Sequence, residues 1–315
     1  SGYPMNAGAG ITVSTNGHTN PWIIHGSDAG MVLAWEITSE TERNQIWSTN
    51  SETNDNSVYS IEGGGAYGVA IGNIDDDENL EMLVGSSSGR VYAYDGVTYQ
   101  TDWISPELEK NVMGIAVGDL NNDNINDIVI STGNPGEPEV GGAGGEGYLY
   151  IFQGSGTSFS QEFQSPNINA ALGVTIAELD GSLYPEIGVA TGYLEVIDPT
   201  AGTSELHGNV RVYGYDGSDY ESEWSSNDLG DIVGGIASGD FGGSNDYLVV
   251  GTGGDSRNNN EVSGEVRVYK RSGGTYTTDG AIIDSGRYRA YGIAVGDVDN
   301  DGETEIAVGT GDFED

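Results

Sequence analysis

The chain has 315 residues, of which 52 are glycine and none is cysteine, so disulfides and thiol chemistry are excluded. Its 50 acidic residues against 10 basic ones give a formal net charge of −40. Such a surface would repel nucleic acid and anionic membranes, and no apolar run approaches the roughly 18 residues that span a bilayer, so we expect neither nucleic-acid binding nor membrane insertion.

One phrase recurs along the chain: a short apolar strand, an acidic turn and a second apolar strand. Spacings between copies run from 46 to 62 residues, a regularity that indicates a repeat architecture. The glycines that open the six copies are Gly10, Gly68, Gly114, Gly173, Gly235 and Gly292.

Each repeat is predicted to contain four strands, A to D. The phrase supplies strands A and B, a glycine-rich link leads to strand C, and strand D follows with an aromatic residue. Four short antiparallel strands with turn signals between them predict a β-propeller blade. A β-solenoid would need coils shorter than about 30 residues, and a string of sandwiches would need linkers that this chain lacks. The strand-D aromatics are Trp47, Trp103, Phe163 and Trp224.

The first and last repeats depart from this pattern. The first has lost the acids of its A–B turn, and the last stops at Asp315 after strands A and B. We therefore expect a single all-β propeller domain over residues 1–315, with five full blades and half of a sixth. The total number of blades, six or seven, is left open by the sequence. The sequence also leaves open whether the chain is trimmed from a larger propeller or whether a second copy of itself completes the last blade.

The A–B turns carry acids at alternate positions, in the pattern D-x-D-x-D-x-x-x-D/E. Positions one, three, five and nine present side-chain oxygens and position seven its backbone carbonyl, which are the ligands of calcium. Glycine at position six eases the bend. Because these carboxylates repel one another without a cation, folding and metal binding should be coupled. Flanking strands and an acid at the ninth position exclude the helix–loop–helix calcium site.

We predict Ca²⁺ binding in the second, third and sixth repeats. The second-repeat ligands are Asn73, Asp75, Asp77, the carbonyl of Asn79, and Glu81, with Glu78 where glycine is preferred. The third-repeat ligands are Asp119, Asn121, Asp123, the carbonyl of Ile125, and Asp127. The sixth-repeat ligands are Asp297, Asp299, Asp301, the carbonyl of Glu303, and Glu305.

The remaining repeats match less well. In the fourth repeat, where a metal site and a plain polar turn both stay open, the candidates are Glu178, Asp180, Ser182, the carbonyl of Tyr184, and Glu186. The fifth-repeat turn, residues 240–246, is two residues short. The first-repeat turn, residues 15–21, is uncharged. Neither of these two turns should bind metal.

These units resemble the FG-GAP repeats of integrin α-subunit propellers and their prokaryotic relatives. Residues 239–243 approach the phrase that names the repeat, and the resemblance covers residues 10–315. It implies calcium in the A–B hairpins on one face of the propeller, with partner contacts usually on the other. Integrin propellers have seven blades, so the terminal half blade departs from the family.

The most variable links join strands B and C, at residues 134–147, 198–208 and 253–264. Because strands alternate in direction, these links should emerge opposite the calcium loops, as a binding face or as tolerated surface loops. No GxSxG, HExxH or phosphate loop surrounds His18, His25 or His207, so an enzyme is not expected.

The acidic excess is larger than bound cations could neutralise. Even five calcium ions would leave a charge of about −30, so most carboxylates form a solvated coat. Abundant acids with only two lysines, Lys110 and Lys270, resemble the composition of proteins from salt-loving microbes.

We expect an extracellular calcium-binding propeller that serves in adhesion or self-assembly at a microbial cell surface, since calcium is plentiful outside the cytosol. Its expected partner is a protein or glycan there, or another copy of itself. A glycan-binding lectin and a polysaccharide lyase or hydrolase are the alternatives.

Overall fold

The structure is a computed structural model, and it describes residues 11–14, 22–26, 32–39, 42–48, 66–75, 77, 79–134, 145–156, 158–198, 200, 203–255, 262–280, 282–284, 289–298 and 301–311. Within these ranges the chain forms 25 β-strands. No helix in the described ranges is long and apolar enough to cross a membrane.

The chain divides into two compact units. The first comprises residues 1–119, 124–132 and 149–164, and it holds nearly all of three antiparallel four-stranded sheets. Sheet one contains β1 (Ile11–Ser14), β2 (Trp22–Gly26), β3 (Val32–Ile37) and β4 (Arg43–Ser48). Sheet two contains β5 (Ala66–Gly72), β6 (Glu81–Ser86), β7 (Val91–Asp95) and β8 (Thr101–Ile104). Sheet three contains β9 (Asn111–Gly118), β10 (Asp127–Gly133), β11 (Gly147–Gly154) and β12 (Phe159–Gln164).

The second unit comprises residues 120–123, 133–148 and 165–315. Sheet four contains β13 (Ala171–Ala177), β14 (Glu186–Asp198), β15 (Thr203–Tyr215) and β16 (Tyr220–Ser225). Sheet five contains β17 (Val233–Gly239), β18 (Tyr247–Thr252), β21 (Glu265–Ser272) and β22 (Thr275–Thr278), with β23 (Ile283–Asp284) also paired to β21. Two-stranded sheets join β19 (Gly254–Asp255) to β20 (Val262–Ser263), and β24 (Arg289–Gly296) to β25 (Glu305–Gly311).

This architecture confirms the predicted fold class: among the described residues, four four-stranded antiparallel sheets and one five-stranded sheet each hold strands A to D in order, and β24 and β25 form a two-stranded sheet after them. From the second repeat onward, the A strands begin two or three residues earlier than their glycines suggested. Each of four shows a register shift at its opening, as between Val233 and Gly235 in β17. A β-bulge there lets pairing continue before the glycine.

Strands β6 and β10, which follow acidic turns, are among the most deeply buried. Every residue of β6 and of β10 is buried, because each strand has a neighbour on both edges and covered faces. In the first unit, residues of sheets one and two share one apolar cluster that includes Trp22, Trp47 and Tyr94. In the second unit, sheets four and five share another, around Leu248 and Tyr269. Each sheet thus buries a face that it could not cover alone.

Strand D of sheets one to four carries a β-bulge at one fixed place. In sheet two, Ala93 pairs with Trp103 and Tyr94 with Thr101, which leaves Asp102 as the extra residue. A bulge redirects the side chain of the extra residue. Because the same register shift recurs, the residue before each strand-D aromatic is displaced in the same way. The four displaced residues are Ile46, Asp102, Glu162 and Glu223.

Candidate metal centres

Loop two (residues 73–81) is held by carboxylates that accept hydrogen bonds from its own backbone. Oε2 of Glu81 accepts from the N–H of Ile74 at 2.7 Å. Oδ1 of Asp75 accepts from the N–H of Asp77 at 2.8 Å, and Oδ1 of Asp77 accepts from the N–H of Asn79 at 2.6 Å. Asp75 and Glu81 therefore each use one oxygen to shape the turn, as Asx turns do, whereas Asp77 uses both, because its Oδ2 accepts from Nδ2 of Asn79 at 2.8 Å.

Two further carboxylates join loop two from the same sheet. Oxygens of Asp75, Glu81 and Asp102 lie within 4.8 Å of one another, and so do those of Asp77, Glu81 and Asp95. Asp95 ends β7, and Asp102 is the bulge residue of β8. Because strands alternate in direction, the turn between strands C and D lies at the same end of the sheet as the acidic loop. Four carboxylates thus converge around that of Glu81.

Glu81 is the buried member of this group. Its side chain is inaccessible to solvent, and its Oε1 has no hydrogen-bond partner among the residues that the structure describes. Burial raises the pKa of Glu81 to about 8, helped by the charges of Asp75, Asp102 and Asp77 and opposed by the Ile74 N–H. Burial, helped by the charges of Asp95, Asp75 and Asp77, raises the pKa of Asp102 to about 6. A buried acceptor without a donor, among hard oxygens that repel one another, fits a calcium ion.

Loop four (residues 178–186) resembles loop two in the backbone contact of its closing glutamate but differs in the partners of that glutamate's other oxygen. Oε2 of Glu186 accepts from the N–H of Leu179 at 2.7 Å, and Oε1 accepts from Oγ of Ser182 at 3.2 Å. Oxygens of Asp180, Glu186 and Glu223 lie within 4.8 Å of one another. Burial, together with Asp180, raises the pKa of Glu186 to about 8. Both oxygens of this closing glutamate already have donors within the chain.

Loop three (residues 119–127) holds its predicted residues in a different arrangement. Oδ2 of Asp119 accepts from the N–H of Asn124 at 2.7 Å, and Oδ1 of Asn121 accepts from that of Asp123 at 3.0 Å. Oδ1 of Asp127 accepts from the N–H of Gly154 at 3.0 Å. Among the described carboxylates, the convergent groups of three belong to loops two and four, and those of loop three are not among them.

Loop six (residues 297–305) is described except for residues 299 and 300, so the predicted ligand Asp299 lies outside the described residues. Oε2 of Glu305 accepts from the N–H of Val298 at 2.8 Å. Asp297 accepts from the N–H of Asp301 at 3.1 Å, and Asp301 accepts from that of Glu303 at 2.8 Å. Three loops therefore close through the same contact between the ninth and the second position.

Position six adopts left-handed backbone in loops three and six, whereas in loop four the fourth position, Gly181, does so with φ of 72°. Asn124 has φ of 67° and Gly302 has φ of 90°. Glycine and asparagine are the residues that tolerate this region. The glycine preference of the motif therefore reflects a backbone requirement. Glu78, at this position in loop two, lies outside the described residues.

The sequence pattern missed Asp95, Asp102 and Glu223. A signal for two of them does exist, because an acid immediately precedes the strand-D aromatic in three successive repeats. Those pairs are Asp102–Trp103, Glu162–Phe163 and Glu223–Trp224. Strand alternation alone places them at the end of the sheet that carries the acidic loop.

Comparison with known proteins supports the fold. No family model and no curated protein match this chain. A chain in the crystal structure of a mitotic checkpoint complex matches with a TM-score of 0.55 and 12% identity, over 87% of this chain and 66% of its own length. Sqt1 of Saccharomyces cerevisiae matches with a TM-score of 0.46 and 8% identity, over 98% of this chain and 95% of its own. The first likeness, together with the repeated four-stranded sheets, shows that this chain has a β-propeller fold.

Proposed function

We propose that this chain is a calcium-stabilised propeller of the FG-GAP type that serves in adhesion or assembly outside a microbial cell. The observation that supports calcium most directly is Oε1 of Glu81, which is buried and receives no hydrogen bond from the described part of the chain. Calcium accepts six to eight oxygen ligands and provides the charge that these carboxylates lack. In the second repeat the ion would be held by Asp75, Asp77, Glu81, Asp95 and Asp102.

An exterior location follows from the same chemistry. Loops whose charges need a divalent ion are best served where calcium is abundant, outside the cytosol. The formal charge of −40 keeps the surface hydrated and disfavours polyanionic partners. A partner is therefore a protein or a glycan of the cell surface, or a second copy of this chain.

A projecting hairpin is the described feature best suited to contact a partner. Strands β14 and β15 have 13 residues each and pair as far as Asp198 with Thr203, whereas β13 pairs with β14 only up to Thr191. The hairpin therefore extends past the sheet at the end opposite loop four. Near its base the rings of Tyr193 and His207 stack with centroids 4.9 Å apart, and its Ile197 is 51% exposed. An apolar residue on a stiff arm is a suitable contact point.

Calorimetric titration with calcium tests the metal part of the proposal. We expect binding in the wild-type chain, one site fewer in Glu81→Gln, and no change in Glu221→Gln. Glu221 is an exposed residue of β16 outside both carboxylate groups, so it controls for loss of one charge. Absence of calcium binding by the wild-type chain would contradict the proposal.

Sedimentation velocity with and without calcium tests the assembly part, with Ile197→Asp as the interface variant. We expect association at high concentration that needs calcium and weakens in Ile197→Asp. A monomer that binds sugars on a glycan array would instead be a lectin. Turnover of a polysaccharide would make the chain an enzyme.

A further inference from the structure

We infer that Arg271 is a built-in counter-ion of loop four, where its guanidinium takes the role that calcium has in loop two. The fourth repeat would then be closed without a metal ion. The comparison with loop two rests on the proposed function. The counter-ion role itself rests on contacts within the second unit.

Arg271 lies on β21 of sheet five and points at the carboxylates of loop four. Its Nη1 bonds directly to Oδ2 of Asp180 and lies 3.8 Å from Oε2 of Glu223. Its Nε donates to the carbonyl of Gly273 at 3.2 Å, and the guanidinium lies 5.9 Å from the ring centre of Tyr276. One planar, permanently charged group therefore serves two of the three carboxylates.

The positive charge of Arg271 has no counterpart in sheets two to four. Aligned on the strand-C glycine, Arg271 matches Gly96, Gly154 and Tyr215. The aromatic position two residues earlier is kept in sheet five. Tyr269 packs there on Trp224 of sheet four with ring centres 5.6 Å apart, as Tyr94 packs on Trp47 at 5.0 Å. Arg271 thus adds a cation beside a packing contact that these sheets share.

In loop two the corresponding neighbour is uncharged. The residue of sheet three that matches Arg271 is Gly154, and Oε1 of Glu81 has no donor among the described residues. Loop four carries Ser182 where loop two carries Asp77, and Ser182 shares its hydroxyl proton between the carbonyl of Tyr184 at 2.8 Å and Oε1 of Glu186 at 3.2 Å. Loop four therefore has fewer acids, a donor for its closing glutamate and a cation of its own, so it has little need for an external ion. Loop two, as far as the structure describes it, has neither such a donor nor such a cation, so its carboxylates require a cation from solution.

The number of calcium ions bound by the full chain, counted by equilibrium dialysis, tests this inference. We expect Glu81→Gln to lose one ion and Glu186→Gln to lose none. Arg271→Gln should gain one ion, and the double variant Arg271→Gln with Glu186→Gln should lose that gain. Arg267→Gln is the matched control, because Arg267 lies on the same strand but pairs with Glu265 at 2.6 Å.

Two results would overturn the inference: loss of an ion in Glu186→Gln, or no gain in a folded Arg271→Gln. The Glu186→Gln result decides the matter even if Arg271→Gln does not fold. If the wild-type chain binds no calcium, the proposed function fails. The midpoint of thermal unfolding in chelator then tests the role of Arg271 by itself. The counter-ion role requires a lower midpoint for Arg271→Gln than for Arg267→Gln, and equal midpoints contradict it.

Discussion

Oε2 of Glu81 accepts a hydrogen bond at 2.7 Å from the backbone N–H of Ile74. This contact ties the last residue of loop two to its second residue. Glu186 makes the same contact at 2.7 Å and Glu305 at 2.8 Å in their own loops. The closing glutamate therefore shapes the turn with one oxygen and leaves the other for a cation or a donor.

Glu81→Gln should have opposite effects on stability in chelator and in calcium. The amide oxygen can still accept from Ile74, and the variant no longer has to bury a carboxylate among like charges or take up a proton on folding to avoid doing so. In chelator we expect a gain of about 1–3 kcal/mol, the usual cost of an unsatisfied buried group. In calcium the variant should be the less stable protein, because it has lost a ligand. Thermal unfolding of both proteins measures this, with Glu221→Gln as control, and a variant less stable in chelator would contradict it.

Asp102→Asn should weaken calcium binding at loop two, although residue 102 lies outside the loop sequence. The bulge in β8 brings this carboxylate within 4.8 Å of Asp75 and Glu81. We expect roughly a tenfold loss of affinity, equivalent to about 1.4 kcal/mol. Titration calorimetry measures the loss. Asp219→Asn, at an exposed turn residue, should bind as the wild type does, and equal affinity of all three proteins would show that Asp102 is no ligand.

Asn126 links loop three to loop two, since its Nδ2 donates to the carbonyl of Asn73 at 2.7 Å. Asn126→Ala should lower the free energy of unfolding by about 0.5–1.5 kcal/mol, the net value of one such bond. Urea denaturation measures the change. Asn44→Ala, at an exposed position of β4, is the control, and equal midpoints of the two variants would contradict a structural role for the link.

Asp231 should make stability depend on pH. Burial raises its pKa from the ordinary 3.8 to about 7, although the Ile232 N–H and the charges of Arg289 and Arg267 oppose this and Glu265 adds to it. The folded state favours the protonated acid, so this contribution is complete below pH 3.8 and is lost as pH rises through about 7. Asp231→Asn should therefore gain stability relative to the wild type across that window.

Unfolding of both proteins in saturating calcium, at a series of pH values, checks this prediction. The calcium keeps the loops in one state while pH changes. A stability difference that stays constant across the window would mean that Asp231 is already ionised in the folded protein.

The sheets and the loops could be predicted because their signals are local. Alternate acids between two apolar runs, as in Asp75 and Asp77 before β6, define a turn and its flanking strands without reference to the rest of the chain. The strand-D aromatic residues correctly predicted the position of the fourth strand in sheets one to four. Strand starts were less accurate, because a bulge such as that before Gly235 leaves no composition signal.

The residues that join loops two and four from other strands could not be predicted from local sequence. Asp102 joins loop two through a register shift between β7 and β8, and pairing register is a property of two strands. Arg271 joins loop four from the next sheet. The aligned repeats show a new positive charge where Gly96, Gly154 and Tyr215 stand elsewhere, but what Arg271 faces depends on how successive sheets pack.

The melting midpoint of the wild-type chain in calcium and in chelator, at matched ionic strength, tests the central claim most directly. A site filled at 100 times its dissociation constant adds about 2.7 kcal/mol to the folded state. We predict a clearly higher midpoint in calcium, with a smaller rise in magnesium, whose tighter octahedral geometry suits these loops less well. Equal midpoints in calcium and chelator would contradict the account.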